Sequence, residues 1–286
     1  MNSMKKTLVL GCNGMAGHVI SIYLESEGYV VDKLARIKSI FKDTILMDVT
    51  DFISLKNLIL ANDYDIIINA VGVLNTDAEI NHDKAVLINS YLPQMLASVT
   101  KNTKSKVIHI STDCVFSGNK GYYSETDVSD ASTFYGKSKA LGELKDEKNL
   151  TLRTSIVGPD INEKGIGLFN WFMKSRRCST LSGYSKSMWG GVSTIELAKA
   201  IKLSIDDDLV GLYHLTNSKK ISKYELLALF NTHFANDSIC ISQNDNYIAD
   251  KSLISVHDIF DVPQYDIMIR EIKDWIECNS NIYNWY

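Results

Sequence analysis

Tyr135 and Lys139 stand four residues apart in the stretch YGKSKALGEL, and ISTD (Ile110–Asp113) precedes them with two hydroxyls. On a helix, a four-residue step keeps two side chains on one face, about 6 Å apart along the axis. At that separation and an effective dielectric near 20, the lysine's charge is worth roughly 2.8 kcal/mol to a tyrosinate, which brings a phenol from about 10 to near 8. Such a phenol suits general acid catalysis, handing a proton to a carbonyl oxygen at neutral pH. A hydroxyl donor would hold that oxygen, and Thr112 or Ser111 can supply it. The spacing alone carries no weight, because Tyr29/Lys33 and Tyr247/Lys251 repeat it. What sets Tyr135 apart is its place at the opening of a helix, downstream of a buried strand. The structural alternative is an aromatic helix start packed on a sheet.

A second chemical feature lies in KKTLVLGCNGMAG, where Gly11, Gly14 and Gly17 follow a short β-prone run at three-residue steps. Glycines there let the backbone turn tightly, approach a pyrophosphate without an intervening Cβ, and present amides at a helix N-terminus. The same letters resemble a lipoprotein signal with Cys12 as its target. That reading fails on length, because an export signal needs roughly 7 to 15 apolar residues and only Thr7–Leu10 are available. The next strand ends in DKLAR. Arg36 there can pair a 2′-phosphate and so favours NADPH over NADH, although an exposed arginine at a loop start is common. Asp48 can accept from an adenine amino group, whereas Thr50 or Asp51 competes better as a helix cap. The small residues of NAVG (Asn69–Gly72) leave room for a cofactor at a strand's carboxyl end.

The elements that must position these groups alternate. Candidate strands are Thr7–Leu10, Tyr29–Leu34, Thr44–Met47, Asp65–Asn69, Val107–Ser111 and Leu150–Thr154, with helices over Gly14–Ser26, Phe52–Ala61, Asp83–Thr100 and Tyr135–Lys145. Runs such as DIIIN and KVIHIS are apolar without strict alternation, as strands covered on both faces should be. The expected fold is α/β: a Rossmann-type doubly wound parallel sheet over 1–155, with a smaller α/β substrate-binding part over 156–286 whose chain can cross back. In that second part Ser193–Ser204, ISKYELLALF and Tyr265–Cys278 read as helices, and Leu212–Leu215 as a strand. Ser222 and Glu225 form a capping box.

Composition fits a soluble globular protein, with 45% hydrophobic and 22% charged residues over 286 positions. A net charge of −4 offers no footprint for nucleic acid, and no window approaches a membrane span. Five scattered cysteines without a Cys-x-x-Cys pair disfavour both disulfides and zinc and suit a reducing cytoplasm. No metal is expected.

GCNGMAG, MDVTD, NAVG, HISTDCVFSG, YYSETD, YGKSKALGE and LRTSIVG occur in the order seen in extended short-chain dehydrogenases/reductases. The chain most resembles the dTDP-4-dehydrorhamnose reductase branch and its relatives acting on nucleotide-linked 4-keto-6-deoxy sugars. The resemblance implies a Rossmann domain and NADPH (NADH is possible). It implies Thr112 as carbonyl-oxygen donor, Tyr135 as acid, and Lys139 on the nicotinamide ribose. It also assigns Gly11, Asn13, Gly14, Met15 and Gly17 to the pyrophosphate loop, and Asn69, Ala70, Val71 and Asn89 to the cofactor groove; Asp48 and the adjacent Val49 are further candidates for cofactor contact. In GLFNWFMK and MWGGVSTIELAKAI it points to Asn170 and Trp189 as contacts for a nucleoside-diphosphate sugar. Two departures stand out: Cys114 replaces the tyrosine of many members, and the loop to Tyr135 is about one residue shorter. Related dehydratases carry Thr-Asp-Glu where this chain has Thr-Asp-Cys, which disfavours dehydration.

The resulting expectation is an oxidoreductase, monomeric or homodimeric, that reduces a nucleotide-linked 4-keto-6-deoxy sugar for surface polysaccharide. Two alternatives are an epimerase that retains NAD, and a non-catalytic subunit that binds NADP and regulates a partner.

Overall fold

The computed structural model describes residues 5–38 and 40–286. Its strands are β1 (Lys6–Leu10), β2 (Val30–Ala35), β3 (Ile45–Leu46), β4 (Ile66–Asn69), β5 (Lys106–Thr112), β6 (Leu150–Thr154), β7 (Ile156–Val157), β8 (Thr180–Tyr184), β9 (Ser187–Trp189), β10 (Val192–Ser193), β11 (Gly211–His214), β12 (Ile221–Ser222), β13 (Cys240–Asn244) and β14 (Ala249–Asp250). The α-helices are α1 (Met15–Ser26), α2 (Phe52–Asn62), α3 (Asn75–Ile80), α4 (His82–Ala85), α5 (Leu92–Thr100), α6 (Phe134–Leu141), α7 (Leu168–Ser175), α8 (Thr194–Asp206), α9 (Lys223–Ala235) and α10 (Tyr265–Cys278).

Seven strands form one sheet in the order β11-β6-β5-β4-β1-β2-β3, and every pairing in it is parallel. Successive side chains supply opposite faces, as the two-residue strand period requires. Leu8, Leu10, Ile67 and Val107 join Leu55 and Ile59 of α2 and Leu92 and Leu96 of α5 in one apolar cluster. Val9, Ile66, Ile68 and Ile108 join Val19 and Ile20 of α1 and Leu197 and Ile201 of α8 in another. That double cover explains why these strands are nearly all apolar in sequence.

The strand order reverses between β1 and β4, which opens a crevice at their carboxyl ends. After residue 155 the chain adds a strand to this sheet: β11 pairs with β6 at its edge. Apolar packing is continuous across residue 155, because Phe169, Phe172, Phe230 and Ile269 share the cluster of Val9 and Val19. Three smaller sheets, β10-β7, β12-β9-β14 and β13-β8, sit beside this frame with α7, α9 and α10.

Two helices differ from expectation. The stretch 83–100 is split by a π-helical segment, Val86–Tyr91, ahead of Pro93, whose missing N–H interrupts regular pairing. Helix α6 stops at Leu141. Gly142 follows, where a Cβ would lie 1.9 Å from the Asn89 carbonyl oxygen, so the two segments pack backbone to backbone.

Candidate active site

The glycine loop lies between β1 and α1. Gly11 takes φ +84°, and a Cβ there would crowd Val71 and the Ala70 carbonyl across the β1–β4 crevice. A Cβ on Gly17 would lie 2.1 Å from the Gly11 oxygen, so only glycine lets α1 settle against the loop. Gly14 is the exposed N-cap of α1 and makes no side-chain cap, which leaves the first amides of a 12-residue helix free for an anion. These features form a cradle that a side chain would fill, and they fit a dinucleotide's pyrophosphate. Met15 is half-buried with its sulfur beside Gly167, and the Asn13 amide donates to the Ile37 carbonyl at 3.0 Å.

Arg36 is exposed just past β2, and its charge helps hold the Asp48 carboxyl below its ordinary range. The larger cause is the Thr50 backbone N–H donating to Asp48 Oδ1 at 2.9 Å. Asp51, as expected, caps α2 by accepting from the Ser54 amide, and Val49 is buried beneath. Ala70 and Val71 border the crevice. Asn69 and Asn89 are fully buried with their amides turned inward. Asn69 accepts from the Val71 N–H and faces His109, while Asn89 grips both backbone groups of Val73 and donates to Ser138 Oγ.

The three candidate catalytic residues gather at the carboxyl end of β5. Thr112 is its last residue; its hydroxyl donates to Asp113 Oδ1 at 3.1 Å and accepts from the Cys114 N–H at 3.1 Å, and it lies near enough to Tyr135 to favour the phenol's ionised form. Tyr135 lies in the first turn of α6, which is held at its start twice. Thr133 accepts from the Gly136 N–H at 3.1 Å, and Glu79 accepts from the Tyr135 N–H at 2.9 Å. One turn on, the buried Lys139 donates from Nζ to the Ile110 carbonyl at 2.6 Å. The phenol, the hydroxyl and the amine therefore surround one strand end.

The electrostatic expectation for Tyr135 is corrected. Burial raises its pKa above the ordinary tyrosine value, Cys114 and Asp113 add to the rise, and only Thr112 opposes it. The Lys139 amine is spent on Ile110 and His109, and burial pushes it down to about 8 while Glu143 partly resists. Desolvation outweighs the attraction assumed from helical spacing. A phenol so held remains protonated at neutral pH.

Both expected substrate contacts are core residues. Asn170 is fully buried and donates to the carbonyls of Asn162, Glu163 and Gly165 while accepting from Tyr286, so its amide ties down a loop. Trp189 is 3% exposed and packs on Tyr265. Trp171, one residue past Asn170, is 42% exposed and is the free aromatic of that helix.

Sequence reasoning missed a charged group beside Thr112. Asp113 and Cys114 face Lys223, at the start of α9, and Lys251, after β14. Burial raises Asp113 and pushes the Cys114 thiol up to about 11. Burial opposes charge on Lys251, but Cys114 and Asp113 outweigh it and raise its pKa. At Lys223 burial prevails, and the pKa falls. Only the chain's return brings these lysines here, and no local spacing announces it. A separate cavity of about 600 Å³, lined by His214, Asn217, His257 and Phe260 among others, includes none of the expected site residues. Among the described residues no cluster could hold a metal, and no helix is long and apolar enough to cross a membrane.

The family model described as the RmlD substrate binding domain matches residues 4–245. The chain is 31% identical over 230 residues to the spore coat polysaccharide biosynthesis protein SpsK of Bacillus subtilis, covering 78% of this chain and 77% of that one. It is 27% identical over 241 residues to the dTDP-4-dehydrorhamnose reductase of Aggregatibacter actinomycetemcomitans, covering 79% of each. Among solved structures, the dTDP-4-dehydrorhamnose reductase from Bacillus anthracis in complex with NADP superposes with a TM-score of 0.82 at 20% identity. That match covers 95% of this chain and 99% of the other.

Proposed function

The chain belongs to the RmlD substrate binding domain family. From that premise we propose that it reduces the 4-keto group of a nucleotide-linked 6-deoxy-4-keto sugar with NADPH, for surface polysaccharide synthesis. The observation that carries the reading is the meeting of Thr112, Tyr135 and Lys139 at the end of β5. That end belongs to the same sheet as the glycine cradle. Support for the sugar comes from the relatives' names: two are dTDP-4-dehydrorhamnose reductases, and one is a polysaccharide biosynthesis protein. Support for the cofactor comes from the cradle, from Arg36 and from the NADP complex of the B. anthracis enzyme.

NADPH, when bound, would supply the hydride; the chain's residues do the rest. Residues to about 155 would hold the cofactor through Gly11, Gly14 and Gly17, and the later segments would close over the sugar. Thr112 would donate to the ketone oxygen and fix its direction, and Tyr135 would deliver the proton as negative charge builds there. Lys139 would hold the nicotinamide ribose and keep positive charge near the phenol. Lys223 and Lys251 place cationic groups beside Asp113 and Cys114.

The test is to offer NADPH with a panel of dTDP- and UDP-linked 4-keto-6-deoxy sugars and follow nicotinamide absorbance. Consumption with one sugar, abolished by Tyr135→Phe, supports the proposal. Cofactor binding without consumption on any sugar would instead favour a regulatory subunit.

A further inference from the structure

His109 lies on β5, three residues before Thr112, and is fully buried. Its ring touches two polar groups. Nδ1 is 3.2 Å from the Asn69 amide nitrogen, and Nε2 is 3.4 Å from Lys139 Nζ. The orientation of Asn69 is fixed independently, because its Oδ1 accepts from the Val71 N–H at 3.2 Å. The NH2 of Asn69 is therefore the end that meets His109, and Nδ1 must be the acceptor. A neutral imidazole with a bare Nδ1 carries its proton on Nε2. That N–H points at Lys139.

Two donors cannot satisfy one another. An ammonium facing Nε2–H meets a positive edge, whereas an uncharged amine meets a hydrogen-bond donor with its lone pair. We propose that His109, locked by Asn69 as the Nε2–H tautomer, is a positioning residue that biases Lys139 toward its neutral form. The inference rests on the reductase reading only for its kinetic consequence.

The titratable groups that face Lys139 are His109 from β5 and Glu143 from the segment after α6. Glu143 pulls toward the charged form, but its carboxylate already accepts from Arg153 and Ser111. Burial holds His109 well below the ordinary histidine range, and the charge of Lys139 adds to that, so the ring stays neutral while the lysine titrates. Lys139 would then exchange its proton near physiological pH without a competing change on its neighbour.

The test is nitrogen-15 NMR on the full-length protein, labelled at histidine and lysine. The native ring should show a bare Nδ1 and a protonated Nε2, and the Lys139 amine should titrate well below an exposed lysine. In Asn69→Asp the carboxylate accepts in place of the amide donor, so the ring proton should move to Nδ1. Lys139, now facing a lone pair, should titrate at least tenfold lower in proton concentration. His109→Gln, whose carbonyl can face the amine, should shift it the same way, and the alkaline limb of kcat/KM should follow. A native ring protonated at Nδ1 would overturn the proposal. So would an unmoved Lys139 titration in a folded variant, which would leave His109 a packing role alone. If neither variant folds, the native tautomer decides. If no sugar is reduced, the spectra still test His109 while the reductase reading fails separately.

Discussion

Arg153 on β6 grips Glu143, just past α6, with a two-pronged ion pair of 2.6 and 2.7 Å, and both side chains are nearly or fully buried. The same carboxylate accepts from Ser111 Oγ at 2.9 Å, and His214 Nε2 lies 3.3 Å from the guanidinium. The pair thereby pins the end of α6 to β6 and, through Ser111, to β5, whose last residue is Thr112. Geometry of this quality is needed for buried charges to repay their desolvation, and removing one partner leaves the other stranded.

Glu143→Gln should therefore destabilise the fold by about 3–5 kcal/mol. Urea unfolding checks this, and a change under about 1 kcal/mol would show that Arg153 finds water or another partner.

Gly17→Ala should damage cofactor binding before it damages anything else. The added methyl would lie 2.1 Å from a backbone oxygen, so α1 must shift away from the loop. Overpacking of this kind costs roughly 1–3 kcal/mol. Titration of NADPH fluorescence should show affinity at least tenfold weaker, and an unchanged affinity would remove the loop from the binding site.

Lys139 sets the expected pH dependence of turnover. Burial holds it near 8, so kcat/KM should fall above that pH as the lysine loses its proton, while Tyr135, raised by burial, stays protonated. A limb that begins only where exposed lysines titrate would contradict this.

His18 makes the fold sensitive to acid. Its Nδ1–H donates to the Gly14 carbonyl at 2.8 Å, and its Nε2 accepts from the Tyr283 hydroxyl at 2.7 Å. Burial lowers its pKa to about 4, against an ordinary 6.5. Between those values the unfolded chain binds the proton and the folded chain does not. Stability from this source is therefore complete above 6.5 and is lost as pH falls toward 4, by about 3 kcal/mol at most. Glu196, raised to about 7 by burial, acts in the opposite sense over part of that range. The difference between native protein and His18→Leu, melted side by side from neutral to acid, isolates the histidine. The gap between the two should shrink on acidification, and a constant gap would sink the prediction.

The sheet was legible in the sequence because strands covered on both faces must be apolar throughout, and the cap at Ser222–Glu225 because its chemistry is local. The glycine loop was legible because the backbone needs there are steric. Side-chain roles that depend on distant neighbours were not. Asn170 sits in a motif suited to ligand contact, yet a loop and Tyr286 from the far end of the chain claim its amide. Trp189 could have lain in the cleft or the core, and Tyr265 on α10 decides for the core. The Tyr135 charge environment failed for the same reason: a four-residue spacing shows that an amine is near, but not that Ile110 and His109 have already engaged it.

The most direct test of the central claim is isotopic. The protein would be supplied with NADPH deuterated at the transferable nicotinamide position and a dTDP-linked 4-keto-6-deoxy sugar, and the sugar analysed by mass spectrometry and NMR. The account predicts one deuterium at C4 with native protein and none with Tyr135→Phe. Sugar recovered as the unlabelled ketone from native protein with bound cofactor, across both dTDP- and UDP-linked substrates, would contradict it.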